Sequence, residues 1–165
     1  MIKRIIAILL VFSMLPFCVY AEDTADEADY RLETLCGLGI LTEEYLESYS
    51  VRNKVTYKDY LSAIAGFMTE ETQDLLEFSR HYSLIRYNEA INLSDNISYI
   101  EAIKILVRAG GYSEQIPNGE SEVMYQQEAA ERKLLKGVGY KQDSQLTADD
   151  FITLLYNAID AYVVD

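Results

Sequence analysis

One histidine, two cysteines and no tryptophan occur in the 165 residues. His81 stands alone, so no paired-imidazole metal site can be assembled, and no Cys/His spacing of a zinc site is present. Cys36 has no partner histidine in the arrangement of a thiol nucleophile, and no glycine-rich loop of the phosphate-cradling kind occurs. The expectation is a protein without metal or cofactor that is not an enzyme. Carboxylates are plentiful, which leaves a glycosidase-like pair as a distant third class. Acid runs such as Glu43-Glu44 and Glu70-Glu71 read as solvated helix surface.

Positive charge is also scarce. Fourteen Lys and Arg face 27 Asp and Glu, a net charge of −13. Phosphate binding rests on Lys and Arg, so this balance argues against nucleic acid and against anionic membranes. The one strongly apolar run, Ile5 to Phe17, follows the basic Lys3-Arg4 and precedes Val19-Tyr20-Ala21 and the acidic Glu22-Asp23. A basic start, an apolar core and a small residue in that order predict a secretory signal peptide over residues 1–21, cleaved after Ala21. The core is shorter than the ~20 residues of a membrane-spanning helix. Cys18 follows Leu15-Pro16-Phe17, which lacks the small residues of a lipobox.

Cleavage removes two of the 14 basic residues and leaves 144 of the 165, with a net charge of −15. That length suits one domain, residues 22–165, which buries roughly two-thirds of its unfolded surface. Cys36 then remains alone, so packing rather than a disulfide must hold the fold, with Cys36 as a small apolar core residue.

What the sequence does contain is one plan written three times. Val55-Thr56-Tyr57-Lys58-Asp59, Ile97-Ser98-Tyr99-Ile100-Glu101 and Leu146-Thr147-Ala148-Asp149-Asp150 each place a hydroxyl residue three positions before an acid. This is a capping box: Thr56, Ser98 and Thr147 cap a helix, and the acid reaches back to the cap. Glu101 is the standard partner, whereas the shorter Asp59 and Asp150 are expected to close the box less well. Apolar residues follow at three- and four-residue steps: Tyr57, Tyr60, Leu61, Ile64 and Met68, then Tyr99, Ala102, Ile103, Leu106 and Val107, then Ala148, Phe151, Ile152, Leu155 and Ile159. Such stripes predict amphipathic helices around a core. The second stops at Gly110-Gly111, where a left-handed cap is expected.

Ahead of each box lies a further apolar segment ending in a turn. These are Leu32-Leu35-Cys36 before Gly37-Leu38-Gly39, then Leu75, Leu76, Phe78 and Tyr82 before Leu84-Ile85, then Tyr125, Ala129 and Ala130 before Leu134 to Gly137. The boxes start 42 and 49 residues apart, and the loop around Pro117-Asn118-Gly119 accounts for the longer step. The fold is therefore expected to be mainly all-α. It comprises three helix–turn–helix repeats, residues 26–69, 70–112 and 120–164, with short extended connections and approximate three-fold symmetry. None buries its apolar face alone, so all three must pack together.

This pattern resembles three S-layer homology repeats. The third is the nearest match, with Tyr125, Ala129-Ala130, Leu134-Leu135-Lys136-Gly137-Val138, Leu146-Thr147 and Leu154-Leu155-Tyr156-Asn157-Ala158. Glu101 to Val107 with Gly111-Tyr112, and Gly37-Leu38-Gly39-Ile40-Leu41, carry the other two. The resemblance implies a non-catalytic module, secreted and associated with the cell wall of a Gram-positive-type bacterium. Its partner would be a secondary cell wall polymer linked to peptidoglycan, often bearing a pyruvate ketal and bound in grooves between repeats. The family motif Ile-Thr-Arg-Ala-Glu supplies an Arg fork for the ketal carboxylate. Here Tyr57, Tyr99 and Ala148 stand in the Arg positions, and all three arginines are absent.

By family position the groove candidates are Tyr57, Lys58, Asp59, Tyr99, Glu101, Ala148, Asp150 and Gly137. Two readings apply to Tyr57 and Tyr99. Either each ring covers the core edge with its hydroxyl in water, or the rings line the groove and stack on sugar. Lys58 is either a partial substitute for the missing Arg or a solvated surface lysine. The alternative function is a degenerate repeat domain acting as an extracellular protein-interaction or assembly module.

Overall fold

The computed structural model describes residues 23–42, 44, 45, 54–68, 74–112, 116, 121–139, 141 and 143–163. The expected leader and the Pro117-Asn118-Gly119 loop lie outside the described residues. The fold is all-α. Its described helices are α1 Asp23–Gly37, α2 Tyr57–Phe67, α3 Leu75–His81, α4 Tyr99–Ala109, α5 Glu122–Glu131 and α6 Ala148–Val163. Among the described residues there is no strand; isolated antiparallel bridges join Thr56 to Asn96 and Ser98 to Gln145. None of the described helices is long and apolar enough to cross a membrane.

Three of the helices begin as their sequence requires. At α2 the Thr56 hydroxyl accepts from the Asp59 N–H at 3.2 Å, and the Thr56 N–H donates back to the Asp59 carboxylate at 3.1 Å. At α4 the Ser98 hydroxyl accepts from the Glu101 N–H at 3.3 Å, and the Ser98 N–H reaches Glu101 at 3.1 Å. The shorter Asp59 thus closes its box as tightly as Glu101 does, contrary to the expectation for α2. Helix α6 starts with the Asp150 N–H on the Thr147 hydroxyl at 3.2 Å, while that hydroxyl donates to Asp150 at 2.7 Å. Each cap satisfies a donor that the helix itself cannot.

The turns after α1, α3 and α5 close alike. Ile40 N–H returns to Leu35 at 3.0 Å, Leu84 to Ser79 at 2.8 Å and Leu134 to Ala129 at 2.9 Å. Just before each returning residue the backbone is left-handed, at Gly39 (φ 73°), Ser83 (58°) and Lys133 (61°). Only the first of these is a glycine, so Ser83 and Lys133 hold a conformation that L-residues adopt at a cost. At the end of α4 the left-handed residue is Gly111, at φ 74°, while Gly110 stays right-handed at φ −77°.

Helix α2 packs on α3, α4 on α5, and α6 on α1, while α2 also meets α4. The first and last helices therefore close the arrangement. Its core is built largely from the expected stripes: Tyr60, Leu61, Ile64, Ile103, Leu106 and Phe151 are each at most 1% exposed. The Tyr60 ring lies 5.5 Å from that of Phe151, and its hydroxyl donates to the Ala102 carbonyl at 2.8 Å. A buried phenol is tolerated because it has that acceptor. Met68, Ile159 and Cys36 sit at the core margin, only partly buried. Tyr82 and Ala130, expected on apolar faces, are exposed instead.

Twelve residues into each unit, counted from Val55, Ile97 and Leu146, the capped helix meets its own turn. Arg108 donates to the Leu84 carbonyl at 2.7 Å, and Asn157 to the Leu134 and Lys136 carbonyls at 2.8 Å each. Gly66 occupies the third such place. A Cβ there would lie 2.8 Å from the Gly39 carbonyl oxygen and 3.0 Å from that of Ile40. Two units span the gap with a polar side chain, and one closes it by backbone contact.

Candidate ligand groove

The capped helices present their N-terminal residues to one another. Main-chain bonds bring them together: Ile97 N–H donates to Val55 O and Leu146 N–H to Ile97 O, both at 2.9 Å. Across the first junction the Tyr57 phenol pairs with the Glu101 carboxylate. Across the second, the Tyr99 hydroxyl donates to Asp150. Motif position three of one unit thus meets position five of the next. Tyr57 and Tyr99 are buried, at 6% and 2% exposure, so their rings cover the core while each hydroxyl contacts a carboxylate. The third Arg-position residue, Ala148, is buried at 4% exposure and has no hydroxyl to offer.

These contacts set the local electrostatics. Burial, reinforced by Glu101, pushes the Tyr57 pKa far above the ordinary phenol value. Burial and the bond to Asp150 raise that of Tyr99. For Glu101, burial works to raise the pKa, but hydrogen bonds with Ser98 and Tyr57 outweigh it and the net shift is downward. Glu101 therefore stays ionised, and both phenols stay neutral.

Tyr57 and Glu101 open onto a groove of about 250 Å³. Its apolar lining is Ile85, Ala90, Ile91 and Ile105, and its charged lining is Glu89, Lys104 and Arg108 beside Glu101. Glu101, Lys104, Ile105 and Arg108 form one stripe of α4 at steps of three, one and three. Lys104 bonds Glu122 at 3.2 Å. Arg108, with 5% of its side chain exposed, contacts Glu89 at 3.5 Å and the Tyr125 hydroxyl at 3.2 Å.

A second groove, of about 220 Å³, lies at the corresponding place on α2. Lys58, Asp59 and Ser62 line it together with Thr42, Glu44 and Tyr45. At the corresponding place on α6 the polar side chains are engaged by other segments. Asp150 accepts from Tyr99 and from the Gly139 N–H at 2.7 Å, and Thr153 accepts from Arg31 at 3.1 Å. Gly137 is exposed with φ 74° and lines neither groove.

The structure therefore joins Tyr57 with Glu101, Lys58 with Asp59, and Tyr99 with Asp150, in three separate places. Glu89, Lys104 and Arg108 are groove residues that the motif positions do not reach. The step of three from Glu101 to Lys104, and of four from there to Arg108, was the available signal for the two basic residues. Among the described residues, no group of three His, Cys, Asp or Glu is placed to hold a metal ion. The chain matches no family model, no curated protein and no solved structure.

Proposed function

We propose that this chain is an S-layer-homology-type module of three repeats, exported and non-catalytic, that associates with the cell wall by binding peptidoglycan-linked secondary polymer between its repeats. The supporting observation is the junction geometry. At one junction the capped N-terminus of α4, Tyr57 from the preceding segment and a groove meet at the motif positions that the resemblance assigns to the ligand, and a second groove lies beside the capped N-terminus of α2. The matching caps, left-handed turns and carbonyl contacts of the three units support the repeat assignment in the same way.

A second reading, an extracellular protein-interaction or assembly module, is favoured by the burial of Tyr57, Tyr99 and Ala148. Residues sealed into the core cannot take over the reach of an Arg fork. Co-sedimentation separates the two. Under the wall reading, purified protein lacking residues 1–21 pellets with sacculi and stays in solution once the secondary polymer has been stripped. Protein that ignores sacculi with or without polymer would leave only the second reading.

A further inference from the structure

We infer that the groove at Tyr57 takes an uncharged saccharide unit rather than an acidic one. This inference rests on the wall-association reading and specifies the ligand of the same site.

The argument is one of charge and shape. Four ionised side chains line the groove, two of each sign, within a chain whose net charge is −13. All four already have partners. Arg108 holds the Leu84 carbonyl, the Tyr125 hydroxyl and Glu89. Lys104 holds Glu122, and Glu101 is engaged by Ser98 and Tyr57. An incoming carboxylate can approach Lys104 or Arg108 only by crowding against Glu122 or Glu89, which already sits on that cation. The like-charge repulsion offsets the new attraction, so it gains little. An incoming cation meets the same difficulty at Glu101.

A neutral polyhydroxyl ring brings no such like charge. Carboxylate oxygens can accept further hydrogen bonds from sugar hydroxyls, and the part-exposed Lys104 ammonium can donate more than one. The apolar lining of Ile85, Ala90, Ile91 and Ile105 suits the C–H face of a pyranose. At about 250 Å³ the groove is small, on the scale of one or two sugar residues rather than a long segment.

The test uses protein lacking residues 1–21 and wall polymer in two forms, as isolated and after mild-acid removal of its pyruvate ketals. Binding is followed from about 0.1 M to about 1 M NaCl, where the screening length falls to about 3 Å. The expected result is equal binding of both forms with little loss at high salt. Ala90, exposed at the groove, is replaced by Trp or by the smaller Leu to obstruct it. Ala90→Trp should weaken binding by about tenfold or more and Ala90→Leu by less, with unfolding temperatures unchanged. Binding that needs the ketal, or that disappears at high salt, overturns the inference and leaves the wall-association reading standing. Undiminished binding by a folded Ala90→Trp protein also overturns it, because the site then lies elsewhere. No binding to either form of polymer or to sacculi removes both.

Discussion

The hydroxyl of Tyr99 donates to the carboxylate of Asp150, 51 residues further along the chain. Asp150 also accepts from the Thr147 hydroxyl that caps α6 and from the Gly139 N–H. One carboxylate thus secures a helix start, a loop and the neighbouring unit at once. The pairing of Tyr57 with Glu101 repeats the arrangement one junction earlier. Ala148, which matches Tyr57 and Tyr99 in sequence, has no side-chain donor and can make no third clasp of this kind.

Tyr99→Phe keeps the buried ring and removes only the donor. A hydrogen bond to an ionised acceptor contributes about 1.5–3 kcal/mol, so urea unfolding should show a loss in that range or somewhat below it. Tyr57→Phe should move stability in the same direction. An unchanged midpoint for Tyr99→Phe would mean that the clasp contributes nothing in solution.

The legible parts of this fold are those encoded by neighbours in sequence. A hydroxyl followed three residues later by an acid marks a helix start whatever the tertiary context, and apolar steps of three and four mark its buried face. The left-handed turn at Gly39 was readable for the same reason. Ser83 and Lys133 hide equivalent turns because tertiary packing overrides their preference. The roles of Tyr57 and Tyr99 were not readable, since each depends on a carboxylate more than 40 residues away. Arg108 was obscure too: an arginine on a helix normally reaches water, and its burial rests on partners distant in sequence, among them the Leu84 carbonyl, the Tyr125 hydroxyl and Glu89.

Gly66→Ala separates local propensity from packing. Inside an isolated helix the change would stabilise by about 1 kcal/mol. Here the new methyl would lie 2.8 Å from one carbonyl oxygen and 3.0 Å from another, both main-chain atoms. Overpacking of this kind costs about 1–3 kcal/mol, so packing should win and the unfolding temperature should fall. A rise would show that the turn at Gly39 and Ile40 gives way easily.

Replacing Thr56, Ser98 or Thr147 by Ala, one at a time, should each cost about 0.5–2 kcal/mol. Ser98→Ala should be among the more harmful, because its hydroxyl also helps hold Glu101 ionised beside Tyr57. Three variants with wild-type chemical denaturation curves would contradict the capping geometry.

Glu101 supplies an acid-side signature. Hydrogen bonds with Ser98 and Tyr57 hold its folded pKa below the ordinary carboxylate value. A lowered carboxylate pKa contributes stability that is present above the unfolded value and is lost as pH falls through the folded one. Glu101→Gln should therefore be less stable than wild type at neutral pH, with the gap narrowing below about pH 4. A gap independent of pH in denaturation curves would rule out the lowered pKa.

The alkaline side tests both tyrosine clasps together. In Tyr57 and Tyr99 burial, and then the facing carboxylate, raises the phenol pKa above the unfolded value of about 10. The folded state holds these protons more tightly than the unfolded chain does. The resulting stability is complete below about pH 10 and is lost as pH rises past it, because the unfolded chain then releases protons that the folded chain must keep. The double variant Tyr57→Phe/Tyr99→Phe has neither proton to keep. It should be less stable than wild type at pH 7, and the difference should shrink as pH climbs beyond about 10. Spectrophotometric titration gives an independent check: fewer phenols should ionise late in the double variant than in wild type. If all phenols of the folded protein ionise in one unhindered phase, or the stability gap widens with pH, then Tyr57 and Tyr99 do not face Glu101 and Asp150 in solution.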